Sequence, residues 1–203
     1  MSPLDDEAWD AWSPCELGQR LRGATFPWYV AGGWALDVWH GTQTRPHEDL
    51  EFVVLRKDAN HVRAILHDVD FFTVKDGAIE YLPPSADLPS DVWQLWGADR
   101  RQGCWRVDLM MEPGTPDLWI YKRDHTVRMA RSDAVRVSQA GIPYLAPIIV
   151  LLFKAKHCRE KDRNDFDFCR KRLSTQERYQ LSAWLKALHP GHDWIEKCDP
   201  AKE

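Results

Sequence analysis

The sequence predicts an α+β protein with a mixed β-sheet flanked by helices at residues 1–142 and a C-terminal helical region at residues 143–203. Short β-prone runs separated by glycine and proline turn signals fill the first part. Apolar and charged segments with helical periodicity follow Pro143. A chain of 203 residues with 44% apolar residues is large and apolar enough to bury one core.

The elements of the first part are predicted from local patterns. An amphipathic first helix is expected at residues 9–23, and Asp76-Gly77 is typical of a tight hairpin turn. Strands are expected at Trp28–Val30 and at residues 50–55, 71–74, 79–82, 92–96, 105–111, 119–121 and 134–137. Further helices are expected at residues 34–40, ended by Gly41, and after a capping Asp58, with an apolar stripe of Val62, Ile65, Leu66 and Val69.

The C-terminal region has three helical signals. Pro147 suits the first position of a helix that continues through the apolar residues 148–153. A highly charged segment at residues 159–172 follows. Ser174 and Glu177 have the spacing of a capping box before the last long apolar-periodic segment.

Composition narrows the classes of function. The formal net charge of −4 argues against a general nucleic-acid binder, and no apolar run is long enough to span a membrane. The acidic N-terminus has no signal core, and the five scattered cysteines contain no CxxC pair, so the cytoplasm is the expected location and a zinc site is not expected. The 11 tryptophans either line a ligand pocket or fill the core, and exposed ones would support a homodimer.

Two carboxylates one residue apart carry the first functional signal. Asp49 and Glu51 alternate with the apolar Leu50 and Phe52, so on a strand both acids point to the same face. Like charges held side by side repel each other, and Mg²⁺ relieves this because it prefers hard oxygen ligands. A third acid, Asp108, lies on a later apolar strand. There are structural alternatives to a metal site: the pair could lie on a solvated strand edge, and Asp108 could pair with an arginine.

The Gly32-Gly33 pair is the second signal. It lies between a predicted strand and a predicted helix, where backbone N–H groups at the positive end of the helix form a cradle for an anion. A Gly-Gly pair alone is more often a plain turn. The carboxylates that follow favour the phosphate-binding interpretation.

These motifs resemble a known family. The chain contains the runs GGWALD, TRPHEDLE, VDLMMEP, GIPYLAPIIVLLFKAK and REKDRNDF. Over residues 28–195 it resembles the aminoglycoside 2''-adenylyltransferase family of the polymerase-β-like nucleotidyltransferases. The resemblance implies a nucleotidyltransferase core, Mg²⁺, ATP or another nucleoside triphosphate as donor, and transfer of a nucleoside monophosphate to a hydroxyl of a drug-like acceptor.

The resemblance also implies roles for individual residues. Gly32 and Gly33 match the phosphate-binding turn, Asp49 and Glu51 match the metal-binding pair, and Asp108 matches the third metal-binding acid and general base.

Two cations are further candidates for the nucleotide. Arg45 would reach the triphosphate, or is an exposed structural arginine. Lys154 would neutralise triphosphate charge, or is a solvated lysine on an amphipathic helix. Asp162 and Asp165 share a helical face and are expected to pair with nearby cations.

Other positions have weaker signals. His47 is expected to orient the loop before the metal pair, and Glu112 is a weaker candidate for contact with the acceptor. Glu51 stands where many relatives in the superfamily have Asp. Ile148 stands where similar sequences often have Glu, which points to a different acceptor.

The sequence therefore predicts a Mg²⁺-dependent nucleotidyltransferase, with AMP from ATP as the favoured group and an aminoglycoside-like molecule as the favoured acceptor. The alternative is an antitoxin-type protein of the same fold that modifies or binds a partner protein.

Overall fold

A mixed eight-stranded sheet lies at the centre of the computed structural model, which describes residues 1–199. The strands are β1 (Trp28–Val30), β2 (Glu51–Leu55), β3 (Asp70–Lys75), β4 (Ala78–Tyr81), β5 (Gln94–Asp99), β6 (Cys104–Glu112), β7 (Leu118–Ile120), β8 (Arg128–Ala130), β9 (Val135–Val137) and β10 (Pro143–Leu145). Their order in the main sheet is β4-β3-β5-β6-β2-β1-β10-β9, and β7 pairs with β8 in a separate ribbon.

The directions of the strands make the sheet mixed. Strand β2 runs parallel to β6, and β1 runs parallel to β10, whereas the other neighbours are antiparallel. Together with its helices, this sheet confirms the predicted α+β class. Strand β10, which begins at Pro143, lies beside β1 in the sheet; the division of the chain after residue 142 stays a prediction.

The helices are α1 (Pro14–Arg20), α2 (Gly32–His40), α3 (Ala59–Ile65), α4 (Arg131–Ala134), α5 (Pro147–Ala155), α6 (Glu160–Cys169), α7 (Thr175–Leu188) and α8 (Trp194–Lys197). Helix α5 is apolar almost all round and is buried among its neighbours, including α2, α6 and α7. Phe166 of α6 stacks on Trp194 of α8 with 4.2 Å between ring centroids. None of the helices in residues 1–199 has the length and apolar character that a bilayer crossing requires.

Several local predictions are confirmed. Asp76 and Gly77 both have positive φ, as a tight hairpin between β3 and β4 requires. Gly41 ends α2 in the left-handed conformation, with φ 81°. Ser174 and Glu177 form the expected capping box at the start of α7.

The predicted first helix was too long at both ends. Helix α1 begins only after Ser13, whose side chain caps it, and ends at Arg20. Trp9 instead forms an isolated bridge to Trp105, because its ring packs against Trp96 at 5.0 Å. Aromatic packing outweighs the helical spacing of these residues.

Other boundaries were also wrong. Asp58 ends a short 3-10 helix, and its side chain makes no hydrogen bond that caps α3. Ile65 is 37% exposed and does not belong to the buried apolar face of α3. Gly97, expected in a loop, lies within β5, where a Cβ atom would come 2.8 Å from Val107 Cγ2. Strands β8 and β10 had not been predicted, since three-residue strands give little periodic signal.

The left-handed end of α2 gives a direct test of stability. Replacing Gly41 with Ala is expected to lower the free energy of unfolding by about 1 kcal/mol, because a Cβ atom is strained at positive φ. Gly41→Asn is the matched control and should lose less, since Asn tolerates this conformation. Urea unfolding measures both, and an unchanged midpoint for the Ala variant would contradict the assignment.

Candidate active site

The three predicted acids come together where the start of β2 lies beside the middle of the parallel strand β6. Asp49 lies just before β2, Glu51 begins it, and Asp108 of β6 is the direct neighbour of Glu51 in the register. One carboxylate oxygen from each residue lies within 4.8 Å of the others. Asp49 and Glu51 share a face because side chains alternate along a strand. The apolar Leu50 and Phe52 between and after them are buried in the core.

Burial makes this cluster of acids unfavourable as long as it lacks a cation. Burial, reinforced by the charge of Asp49, raises the pKa of Glu51 to about 7. Burial first, and then the charges of Glu51 and Asp49, raise the pKa of Asp108 well above its usual range. The Gln94 side-chain amide donates to both oxygens of Asp108, at 3.0 and 2.8 Å. A hard divalent cation fits this set of oxygen donors, because it compensates their repulsion.

Gly32 and Gly33 form the first turn of α2 beside the acids. Gly32 has φ 59°, and a Cβ atom there would lie 1.6 Å from Glu51 Oε2. A Cβ atom on Gly33 would lie 2.5 Å from both Arg45 Nη2 and His47 Cε1. The N-cap residue of α2, Ala31, provides no side-chain hydrogen bond to the first-turn amides. Both glycines are thus required by close packing, and phosphate binding by this turn stays a prediction.

Arg45 is held by a carboxylate of the C-terminal helical region. Its Nε and Nη2 donate to the two oxygens of Asp165 at 3.1 and 3.2 Å, which is a bidentate ion pair. Its Nη1 also donates to the backbone oxygen of Pro46 at 3.0 Å. The structure therefore gives Arg45 a positioning contact, while contact with a triphosphate stays a prediction.

Lys154 is buried rather than solvated. Its ammonium lies 3.0 Å from Asp162 Oδ1 and 2.9 Å from Asp165 Oδ2, and its side chain is 9% exposed. Arg159 Nε donates to Asp162 at 2.9 Å. Burial alone would raise the pKa of Asp162, but the hydrogen bonds from Arg159 and Lys154 outweigh it and lower the pKa to about 2. The expected pairing of Asp162 and Asp165 with cations is confirmed.

A buried aspartate, missed in the sequence, fixes the loop before the acids. Asp37 of α2 is 3% exposed and accepts a hydrogen bond from Thr44 Oγ1 at 2.5 Å. Its other oxygen lies 2.5 Å from His47 Nε2, and the His47 ring packs on Trp34 at 4.5 Å. The loop-orienting role expected for His47 therefore has a structural basis. The signal in the sequence was the acid on the apolar face of the predicted helix.

A cavity of about 490 Å³ opens next to the acids, between the sheet and helices α5 and α6. Its acidic and basic lining residues are Glu51, Glu112, Lys122, Arg123, Lys154, His157, Arg159 and Asp162. Trp119 is the one tryptophan among its lining residues within the described chain, and it is almost fully buried. Tryptophans therefore do not dominate the lining of this cavity; four of them are buried in the core, and the others are partly buried against it. Ile148 is buried at 5% exposure inside α5.

Glu112 lies at the far end of this cavity. Arg131 Nη2 is 2.5 Å from Glu112 Oε1, and the Tyr29 hydroxyl donates to Oε2 at 2.7 Å. Trp119 Nε1 donates in turn to the Tyr29 oxygen at 3.2 Å. The charge of Glu112 is thus already balanced, which weakens its candidacy as a contact for the acceptor.

Metal binding at the acids gives a prediction for stability. Glu51→Gln should raise the thermal midpoint in EDTA by a few degrees, because it removes repulsion that amounts to roughly 1 kcal/mol or more. In the wild type, Mg²⁺ should raise the midpoint at pH 8, and the variant should lose most of that response.

The pH dependence has a defined sign. The pKa of Glu51 is raised from 4.5 to about 7, so the metal-free protein loses stability as the pH rises through that interval. The response to Mg²⁺ should therefore be larger at pH 8 than at pH 5. Glu80→Gln, an exposed change on β4, is the control. An equal response to Mg²⁺ in the wild type and in Glu51→Gln would contradict the metal assignment.

Comparison with known proteins agrees with this geometry. A family model described as aminoglycoside-2''-adenylyltransferase matches residues 15–81, which include Gly32, Asp49 and Glu51. This match confirms the resemblance that the sequence motifs predicted. No curated protein is similar enough in sequence to match the chain.

Solved structures extend the similarity to most of the chain. A solution structure of the antibiotic-resistance factor ANT(2'')-Ia is 14% identical, with a TM-score of 0.51 over 83% of this chain and 86% of that one. A crystal structure of ANT(2'')-Ia in complex with adenylyl-2''-tobramycin is 12% identical, with a TM-score of 0.53 over 83% of this chain and 92% of that one. The chain therefore has the nucleotidyltransferase fold of ANT(2'')-Ia, and its residues 15–81 match the aminoglycoside-2''-adenylyltransferase family.

Proposed function

We propose that this protein is a Mg²⁺-dependent nucleotidyltransferase that transfers AMP from ATP to a hydroxyl of a small molecule. The observation that carries the proposal is the convergence of Asp49, Glu51 and Asp108 beside the Gly32-Gly33 turn. The name of the matching family and the adenylylated tobramycin bound to ANT(2'')-Ia support the same chemistry.

Asp49, Glu51 and Asp108 would hold Mg²⁺ through their carboxylate oxygens. When bound there, the metal supplies charge neutralisation at the reacting phosphate. The first-turn amides of Gly32 and Gly33 bind the phosphates that leave, because the N-terminus of α2 favours negative charge.

The transfer exchanges one bond to phosphorus for another. The acceptor hydroxyl oxygen attacks the α-phosphorus of ATP, and a new P–O bond forms. The bond between the α-phosphorus and the oxygen that bridges to the β-phosphate breaks, so pyrophosphate leaves with that electron pair. The hydroxyl proton moves to a carboxylate oxygen of Asp108. Gln94 fixes the orientation of this carboxylate through two hydrogen bonds from its side-chain amide.

Lys154 and Arg45 are proposed as supports of the triphosphate side. Lys154 already borders the cavity, on the same side as Arg159. Its two carboxylate partners, Asp162 and Asp165, hold the ammonium in place next to the path of the phosphates. Arg45 positions this group through Asp165.

Aminoglycosides are the first acceptors to test, because the matching family and the neighbouring complex name them. A homodimer and a cytoplasmic location remain predictions of the sequence.

Mass spectrometry tests the function directly. The protein is incubated with Mg²⁺, ATP or GTP, and a panel of hydroxyl compounds that includes tobramycin, neutral sugars and sugar phosphates. We expect an adduct heavier by one adenylyl group and an equal release of pyrophosphate, both abolished by Asp49→Asn. An Asp49→Asn variant with full activity would refute the site, as would wild-type protein that fails to bind ATP in the presence of Mg²⁺ by calorimetry.

A variant of Asp108 distinguishes an effect on the chemical step from an effect on nucleotide binding. Asp108→Asn should lower kcat by roughly 10²–10⁴-fold, because it removes a general base, and should change the Kd for MgATP far less. Asp6→Asn, at an exposed position, is the control for loss of a carboxylate elsewhere. An unchanged kcat together with lost ATP binding would assign Asp108 to nucleotide binding alone.

A further inference from the structure

A second group of metal-binding side chains lies outside the acidic cluster. One donor atom each from Cys158, His192 and Asp193 lies within 4.8 Å of the others. Cys158 belongs to the connection between α5 and α6, whereas His192 and Asp193 belong to the connection between α7 and α8. Because α5 packs against α7, and α7 against α8, the fold brings these two distant segments together.

The imidazole of His192 is held in the form that binds a metal. Its Nε2 lies 3.1 Å from the backbone oxygen of Ala155, and a carbonyl oxygen only accepts, so Nε2 carries the ring proton. The Trp194 backbone N–H donates to Nδ1 at 3.1 Å, so Nδ1 has a lone pair. Metal-binding histidines commonly donate their second ring nitrogen to a carbonyl oxygen in this way, which fixes the ring.

The contact between His192 and Asp193 lacks a cation. His192 Nδ1 lies 3.2 Å from Asp193 Oδ1, and both atoms present lone pairs. Arg163 and Lys197 contact the other oxygen, Oδ2, at 3.1 and 3.4 Å, in exposed pairs that contribute little. Nitrogen and oxygen ligands of a tetrahedral zinc ion are about 3.3 Å apart, given metal–ligand distances of about 2.0–2.2 Å. The observed separation therefore matches two ligands of one ion.

Cys158 supplies a thiol from an unfavourable backbone conformation. Its φ is 47°, in the left-handed region that glycine or asparagine normally occupies after a helix. Its backbone N–H donates to the oxygen of Lys154 at 2.9 Å, which closes the turn after α5. Sulfur and nitrogen on a tetrahedral zinc ion are roughly 3.6 Å apart, so a small rotation of the Cys158 side chain brings Sγ into place.

The mixture of donor atoms selects the metal. Thiolate sulfur, imidazole nitrogen and carboxylate oxygen all bind Zn²⁺, whereas Mg²⁺ prefers oxygen ligands alone. Binding releases the thiol proton to solvent and gives up the hydrogen bond from the Trp194 N–H, in exchange for three bonds to the metal.

We propose that Cys158, His192 and Asp193 bind Zn²⁺, with water as the fourth ligand, and that this ion ties the α5–α6 connection to the α7–α8 connection. The absence of a CxxC pair had argued against zinc, but these ligands are separated in sequence by α6 and α7.

The ion would act on the cavity beside the acids. His157 and Arg159, the neighbours of Cys158 in the chain, both line that cavity. Arg159 also pairs with Asp162 of α6. Zinc therefore has a positioning role, because it restricts the segment that forms part of the cavity wall, and it takes no part in the chemical step.

Cobalt absorption tests the ligands directly, because Co²⁺ occupies zinc sites and its bond to a thiolate gives a near-ultraviolet charge-transfer band. The full chain carries Asp49→Asn, so that the acidic cluster does not compete for the ion. We expect one equivalent of Co²⁺ to produce the band and Zn²⁺ to remove it. Cys158→Ser should abolish the band, whereas Cys15→Ser, at an exposed cysteine, should retain it.

His192 provides a second variant. His192→Gln should raise the Kd for Zn²⁺ by roughly 10–100-fold or more, since even the loss of an outer-shell partner of a metal site has an effect of that size. His125→Gln, at an exposed position, should leave the Kd unchanged. Circular dichroism verifies that each variant is folded.

Hydrogen exchange measures the effect on the cavity wall. Zn²⁺ should slow exchange of the backbone amides of residues 157–162 in the Asp49→Asn protein, and not when Cys158→Ser is added. A folded Asp49→Asn protein without the cobalt band, or a band that survives Cys158→Ser, would overturn the zinc site. Zinc binding that leaves this exchange unchanged would overturn the positioning role. None of these measurements involves ATP, so their outcome is independent of the proposed transfer reaction.

Discussion

The repulsion among three partly or fully buried carboxylates is the constraint on which the rest of the site depends. Parallel pairing of β2 with β6 places Glu51 opposite Asp108, and the alternation of side chains brings Asp49 to the same face. The core beneath these strands is apolar and excludes water, so it offers the charges no compensation. The surrounding groups follow from this constraint. Gln94 fixes one carboxylate, and Gly32 leaves space for another.

A network of ion pairs joins the C-terminal helices to this centre. Asp165 is shared by Arg45, from the loop before the acids, and by Lys154 of α5. Asp162 is shared by Lys154 and Arg159. The network is largely buried and hydrogen-bonded on both sides, so its geometry is well defined, whereas exposed pairs contribute little. The wall of the cavity formed by α5 and α6 is consequently fixed relative to the strands that carry the acids.

The sequence predicted the parts of the site that depend on local patterns. Asp49 and Glu51 were recognisable because a two-residue period on an apolar strand decides which way they point. Gly41 and the Asp76-Gly77 turn were recognisable because few other residues adopt positive φ. Asp108 was a candidate because it is an acid on a later apolar strand, but nothing local indicates that β6 pairs with β2; the family resemblance supported its place in the site.

Partners from distant segments were not predictable in the same way. Gln94 contacts Asp108 only because β5 and β6 are adjacent, and Lys122 reaches Trp93 across a separate ribbon and loop. The sequence could not decide whether Lys154 is solvated or neutralises the triphosphate, because its two acidic partners belong to another helix. Trp9 was assigned to a helix from its spacing, whereas packing against Trp96 and Trp105 decides its place.

The pairing of β2 with β6 also has a consequence for how the chain reaches its native state. The two strands are far apart in sequence, with a helix and three other strands between them. Closing such a long loop is entropically costly, and contacts of this kind slow folding. The acidic cluster exists only once that pairing has formed, so a cation bound there recognises the folded chain and not its precursors. A metal would therefore act mainly by slowing unfolding rather than by guiding the early steps of folding.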